Sequence, residues 1–135
     1  MKNTAAQLNE ETVIRFEEGI IGVPRARNFE LLEREDSPVW LLRCLDIEGF
    51  TLPVVDPRLV DPEYTPKIAR HISASLESSQ EEPLLFLAVT ALGKSGAVAN
   101  LKAPVVVNVA RRAAIQVILD GDYPLRAPVE LAGDR

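Results

Sequence analysis

The hydrophobic residues of this chain come in short runs, each separated from the next by turn residues. The runs lie at residues 12–16, 29–33, 39–45, 50–55, 84–92, 98–101, 105–109 and 114–119. Such runs are too short for long helices, and turn signals recur about every 8–12 residues, which is typical of a β-sandwich or β-barrel. We therefore predict an all-β, antiparallel fold with one or two short helices.

One segment favours a helix instead. Within residues 67–77, Ile68, Ile72 and Leu76 recur every fourth residue, and Pro66 suits the first helical position.

Glycine and proline predict where the chain bends. Gly19 and Gly22 bracket two isoleucines, which indicates a tight bend or bulge. Arg111 and Arg112 separate two apolar runs in a hairpin pattern. Residues 123–129 contain two prolines, so this segment is predicted to be a sheet edge or an ordered tail.

The length of 135 residues fits one domain, which we place at residues 12–129. Residues 1–11 and 130–135 are predicted to be flexible tails. Cys44 is the only cysteine, so no intrachain disulfide can form, and its apolar neighbours predict burial. No secretory or membrane-spanning segment is visible, so we expect a cytoplasmic protein without a membrane partner.

Charge is distributed unevenly along the chain. The net charge is −5, with −7 in residues 1–82 and +2 in residues 83–135. An acidic half disfavours direct binding to nucleic acid and favours the approach of a basic protein. The alternative is that the charge only keeps the protein soluble.

A phosphate-loop pattern is the one motif that suggests an enzyme. Residues 88–95 end in Gly93, Lys94 and Ser95, as a relaxed phosphate loop does. However, the preceding residues belong to a strand, and Gly96 and Pro104 leave no room for the helix that such a loop requires. We interpret this segment as a turn and predict no cofactor.

No other set of residues predicts catalysis or metal binding. His71 is the only histidine and is expected to be exposed, and one histidine with one cysteine cannot form a zinc site. Adjacent carboxylates such as Glu17 and Glu18 point to different faces of a strand. We therefore predict a protein that is not an enzyme. Trp40 and Phe50 are assigned to the core, whereas Tyr123 is the better interface candidate.

The order of several short motifs resembles the flagellar assembly factor FliW family. The motifs are Phe16-Glu-Glu-Gly-Ile20, Phe29-Glu-Leu-Leu32, Ser37-Pro38-Val39-Trp40-Leu41, Val54-Val55-Asp56-Pro57, Tyr64-Thr-Pro66, Ala99-Asn100-Leu101-Lys-Ala103-Pro104 and Asp122-Tyr123-Pro124-Leu125-Arg126. The match to the family runs in order from about residue 12 to residue 129. This chain departs from the family pattern at Ile21, Val23, Arg43 and Cys44.

The resemblance implies a compact barrel-like fold and two protein partners, the translational regulator CsrA and flagellin. In such systems FliW sequesters CsrA and thereby relieves repression of flagellin translation, and flagellin competes for FliW. Two alternatives are a chaperone for flagellin alone, without translational control, and a nucleotide-binding enzyme.

Six residues are the candidate protein-binding set: Glu17, Glu18, Asp46, Asn100, Tyr123 and Arg126. Two of them have an equally good structural interpretation. Asn100 could bond the backbone of the turn at Ala103 and Pro104, and Arg126 could hold the C-terminal tail.

Overall fold

The computed structural model describes residues 13–76, 84–94 and 96–130, which contain nine strands and one α-helix. The strands are β1 Val13–Phe16, β2 Asn28–Leu32, β3 Trp40–Cys44, β4 Thr51–Val55, β5 Leu84–Gly93, β6 Gly96–Ala99, β7 Val105–Asn108, β8 Ala113–Gln116 and β9 Ala127–Pro128. The helix α1 is Arg70–Ser75, and a 3₁₀ helix spans Pro57–Leu59. The predicted tails at residues 1–11 and 130–135 lie outside the described residues, except for Glu130.

Seven strands close into a barrel in the order β4-β3-β2-β1-β8-β7-β5, and β5 pairs with β4 again. The predicted all-β barrel is therefore confirmed. Its neighbouring strands are antiparallel except β1 and β8, which run parallel with Phe16 opposite Ala114. The sequence pattern did not reveal this pair, because its two strands lie at opposite ends of the chain and no turn joins them.

Strands β6 and β9 extend the sheet beyond the barrel. β6 forms a hairpin with β5, and β9 pairs with the outer edge of β6 through Ala127 and Pro128. Proline cannot donate to a further strand, so it suits this edge position. The edge predicted for residues 123–129 is confirmed.

The barrel interior is one apolar cluster to which all seven barrel strands contribute. At its centre, the rings of Phe16 and Phe29 lie 4.9 Å apart, and Phe50 lies 6.2 Å from Phe29. Phe50 and the half-buried Trp40 pack against this cluster, and Cys44 is buried within it. The core positions predicted for these three residues are confirmed.

A second core covers the outer face of β4, β5, β7 and β8. Successive strand residues alternate between the two cores, so that Val54 faces inward while Val55 faces the outer core. The hydroxyl of the buried Tyr64 donates to the Leu101 carbonyl at 2.8 Å. Burial, and secondarily the neighbouring Tyr123, raises the pKa of Tyr64 to about 12. These strands are buried on both faces, which explains their continuous apolar runs.

The helix predicted for residues 67–77 is shorter than expected at its N-terminal end, and residue 77 lies outside the described residues. It begins only at Arg70, because Ala69 is extended and offers no side chain to cap the helix. The apolar stripe of the predicted helix packs against the second core. Leu76 is buried in the second core, and the half-buried Ile68 and Ile72 pack against that core.

The predicted hairpin around Arg111 and Arg112 is confirmed. β7 and β8 pair antiparallel from Val105 opposite Gln116 to Asn108 opposite Ala113. Arg112 adopts a left-handed φ of 56°, and its carbonyl accepts a hydrogen bond from the Arg15 N–H at 2.8 Å. The turn residue thus begins the parallel contact between β1 and β8. Within the described part of the chain, no helix is long and apolar enough to cross a membrane.

The inner core gives a direct test of barrel stability. We expect Phe29→Ala to lower the free energy of unfolding by about 3–5 kcal/mol, because it empties the centre of the aromatic cluster. Leu92→Ala is the matched control, since Leu92 is 89% exposed and should change stability by no more than about 0.5 kcal/mol. Urea denaturation followed by circular dichroism measures both, and similar losses would contradict the described core.

Candidate functional site

A groove of about 450 Å³ lies where β8 runs on past the end of β1. We call it the β8 groove, and three segments line it: Glu18 and Ile21, residues 67–72, and residues 115–120. Its size is within the range of common ligand-binding clefts.

The first wall is the continuation of β8. The N–H groups of Val117 and Leu119 donate to the carbonyls of Pro104 and Lys102, at 3.0 and 2.8 Å. Val117 and Leu119 are buried in the second core, whereas Ile118 between them is 65% exposed. The segment therefore keeps strand-like alternation and places one large apolar side chain at the groove.

The second wall is the bend predicted at Gly19 and Gly22, which is confirmed. Ile20 and Val23 pair across a tight turn, and both glycines have positive φ values of 72° and 86°. A Cβ at Gly19 would lie 2.3 Å from the Pro24 carbonyl oxygen, so only glycine fits there. The turn leaves Ile21 48% exposed beside the groove.

The side chain of Gln116 connects the first wall, the continuation of β8, to the second wall, the bend at Gly19 and Gly22. Its Oε1 accepts a hydrogen bond from the Ile21 N–H at 3.0 Å, and its Nε2 donates to the Ala103 carbonyl at 3.1 Å. One side chain therefore fixes the distance between the bend and β8.

The third wall is the segment that leads into α1. Ile68 and Ile72 are half-buried, while Lys67 and the predicted surface residue His71 are exposed. With Glu18 and Asp120 on the other walls, the groove has apolar side chains between charged ones. This arrangement is suited to a protein segment. Nowhere in residues 13–76, 84–94 and 96–130 do three His, Cys, Asp or Glu side chains cluster as metal ligands would.

The three predicted carboxylates lie at the end of the barrel where β1 and β3 finish. Glu17 pairs with Arg15 at 2.6 Å, and this hydrogen bond holds its pKa below the usual value. Glu18 is the one of the six predicted residues that lines the β8 groove. Asp46 accepts hydrogen bonds from the backbone N–H groups of Asn28 and Arg27 at 2.7 and 2.8 Å.

The other three predicted residues lie near β6 and β9. The Oδ1 of Asn100 accepts the backbone N–H groups of Lys102 and Ala103, both at 3.0 Å, which is the turn contact considered from the sequence. Tyr123 is half-buried, with its ring edge-on to Tyr64 at 5.6 Å. Arg126 is exposed directly before β9. Binding by the six residues stays a prediction, but Asn100, Asp46 and Tyr123 also have local structural contacts.

The phosphate-loop pattern belongs to a β-hairpin. Gly93 ends β5, and β6 starts at Gly96. A strand therefore follows the lysine, whereas a phosphate loop presents a helix N-terminus at this point.

Comparisons with known proteins show the family. The model of the FliW protein family matches residues 2–129. The chain belongs to the FliW family of flagellar assembly factors. The flagellar assembly factor FliW of Caldanaerobacter subterraneus subsp. tengcongensis is 35% identical to it over 90% of this chain and 84% of that protein. That of Thermotoga maritima is 37% identical over 89% and 84%.

A solved FliW structure shares the fold. The crystal structure of a flagellar assembly factor FliW matches with a TM-score of 0.81 and 28% identity, covering 87% of this chain and 85% of that one. The family resemblance expected from the sequence is therefore confirmed.

The four residues expected to depart from the FliW pattern have distinct places in the structure. Cys44 is buried in the inner core, and Arg43 pairs with Glu30 across β2 and β3. Val23 closes the bend, and Ile21 lines the β8 groove. Of these four residues, only Ile21 lines the groove.

The two bend glycines provide a matched test of the groove wall. Gly22→Ala meets no atom within 4 Å, so it should cost only the left-handed backbone penalty of about 1–2 kcal/mol. Gly19→Ala adds a backbone clash and should lower stability distinctly more. Thermal unfolding of both variants checks this, and equal losses would show that the bend is not held as described.

Acid stability should depend on Asp46. The Asn28 N–H, the Arg27 N–H and the Asn28 side chain, in that order, lower its pKa in the folded protein. Its contribution is therefore fully present above the unfolded pKa of about 3.9 and is lost as pH falls through the lower folded pKa.

We expect Asp46→Asn to be less stable at pH 7 and to lose less stability than the wild type on acidification below about pH 4. Urea unfolding at several pH values measures this. Asp36→Asn is the control, because Asp36 is also exposed and forms no hydrogen bond with a described residue. Parallel pH curves for the wild type and Asp46→Asn would contradict the assignment.

Proposed function

We propose that this protein sequesters the translational regulator CsrA and binds flagellin, and that it thereby relieves repression of flagellin translation in the cytoplasm. Flagellin competes with CsrA for the protein, so that synthesis of flagellin follows its use in assembly. The protein acts through binding to other proteins and performs no catalysis, and it contacts neither nucleic acid nor membrane directly.

Membership of the FliW family supports the flagellar part of this proposal. The observation that supports protein binding is the β8 groove, where Ile21 and Ile118 are exposed side by side with charged residues. Exposed apolar side chains of this size, grouped in a groove, mark interaction sites more often than scattered ones do.

Charge supports a basic partner such as a regulator that binds RNA. The net −7 of residues 1–82 includes the carboxylates at the barrel end that borders the groove. Such a field raises the association rate more than it slows dissociation, and salt weakens it beyond about 8 Å at physiological ionic strength.

A binding titration tests the proposal. CsrA from the same organism is fixed to a surface and titrated with the protein at two salt concentrations, and flagellin is then added. We expect CsrA binding, an association rate that falls as salt rises, and release of CsrA by flagellin. Absence of CsrA binding at micromolar protein overturns the regulatory proposal, and binding of flagellin alone supports the chaperone alternative.

A matched pair of charge reversals locates the binding surface. Glu18→Lys should slow association, because Glu18 lines the groove, and should cost about 1 kcal/mol or less as a rim charge. Glu33→Lys makes the same charge change on an exposed residue just beyond β2, at the opposite end of the barrel. Equal slowing by both variants would assign the effect to net charge rather than to the groove.

A further inference from the structure

The backbone of Ile118 faces the β8 groove with its hydrogen-bonding groups unused. In a strand, the N–H and C=O groups of alternate residues point to opposite edges. Val117 and Leu119 bond on the side of residues 102–104, so the groups of Ile118 point to the other edge. Neither group bonds to any residue that the structure describes.

The edge of residues 116–120 is open because β1 does not extend along it. β1 pairs with β8 only as far as Phe16 opposite Ala114. The chain then turns away at Gly19, whose positive φ and close approach to Pro24 fix the change of direction. The β8 groove therefore occupies the place that a longer β1 would have filled.

We propose that the β8 groove binds an extended segment of the partner protein, which adds to the free edge of residues 116–120 as a β-strand. Strand addition to an exposed sheet edge is a common mode of peptide recognition, in which backbone hydrogen bonds give affinity and side-chain pockets give specificity. This inference rests on the proposed protein-binding function and specifies how the segment is recognised.

The groove favours an extended segment over a helix. A bound helix satisfies its own backbone, so it would cover Ile118 and leave that residue's N–H and C=O groups without water or a partner. A strand donates to and accepts from these groups, and its side chains alternate between the two faces of the sheet.

The charges along the edge define the chemistry of the segment. Asp120 ends the edge, and Glu18 lies at its start, because Glu18 also borders a small cleft with Ile115. Lys67 on the facing wall offsets one of these two charges. The complementary segment is a short apolar strand flanked by a lysine or arginine, because one of the two carboxylate charges at the groove is not offset by Lys67.

Two substitutions at one position separate the backbone from the side chain. Ile118→Ala removes the apolar side chain and keeps the N–H, whereas Ile118→Pro removes both. The proline should be tolerated in the free protein, because the N–H that it removes has no partner among the described residues. Surface-bound CsrA and flagellin are the probes, and circular dichroism verifies the fold of both variants.

We expect Ile118→Pro to bind its partner about three- to tenfold more weakly than Ile118→Ala, since one backbone hydrogen bond is lost. Equal affinities of Ile118→Pro and Ile118→Ala for the partner overturn strand addition. In that case, binding of the partner by the wild type still upholds the proposed function. Absence of binding by the wild type to both probes overturns both proposals.

Amide hydrogen exchange of the wild type provides a second readout that needs no variant. In the free protein the Ile118 amide should exchange faster than those of Val117 and Leu119, which are already hydrogen-bonded. Partner binding should slow the Ile118 amide and leave the other two nearly unchanged. An Ile118 amide that exchanges equally fast in the complex overturns the proposal.

Discussion

The contact between β1 and β8 determines the architecture of this protein. It is the only parallel pairing among the strands of the described residues, and it joins the first strand to the last strand of the barrel. The left-handed Arg112 directs its carbonyl to Arg15, and the pairing ends at Phe16. The pairing of β1 with β8 closes the barrel around the inner core. Because this pairing stops at Phe16, it leaves the β8 groove open. Barrel stability and the proposed binding surface thus depend on the same short pairing of β1 with β8.

Two cores share four strands of this barrel, and this explains how a small protein can be rigid at its surface. Because β4, β5, β7 and β8 are buried on both faces, their backbones cannot shift without disturbing both clusters. Residues 117–119, which continue β8, are held in the same way, since Val117 and Leu119 are buried in the second core. Ile118 is therefore presented on a fixed strand, which lowers the entropic cost of binding a partner.

Much of the fold could be predicted from the sequence because short apolar runs and turn residues act locally. The strands, the bend at Gly19 and the hairpin at Arg111 follow from such signals. The parallel pair could not be predicted, since its register depends on contacts between distant segments. The groove was not predicted, because residues 115–119 are all apolar except Gln116. The hydrophobic pattern of the sequence therefore did not indicate that Ile118 is exposed. The backbone contact of Asn100 was anticipated from the turn at Ala103 and Pro104, whereas the backbone partners of Asp46 became apparent only in the structure.

The same closing pair affects how the protein folds during its synthesis. β1 is made well before its parallel partner β8, because β2 to β7 lie between them in the chain. Contacts between such distant segments slow folding, because the entropy of a large loop must be lost before the contact forms. Until β8 arrives, both β1 and β7 present unpaired edges that can associate with other chains. The nascent chain is therefore most vulnerable to aggregation just before its last barrel strand appears.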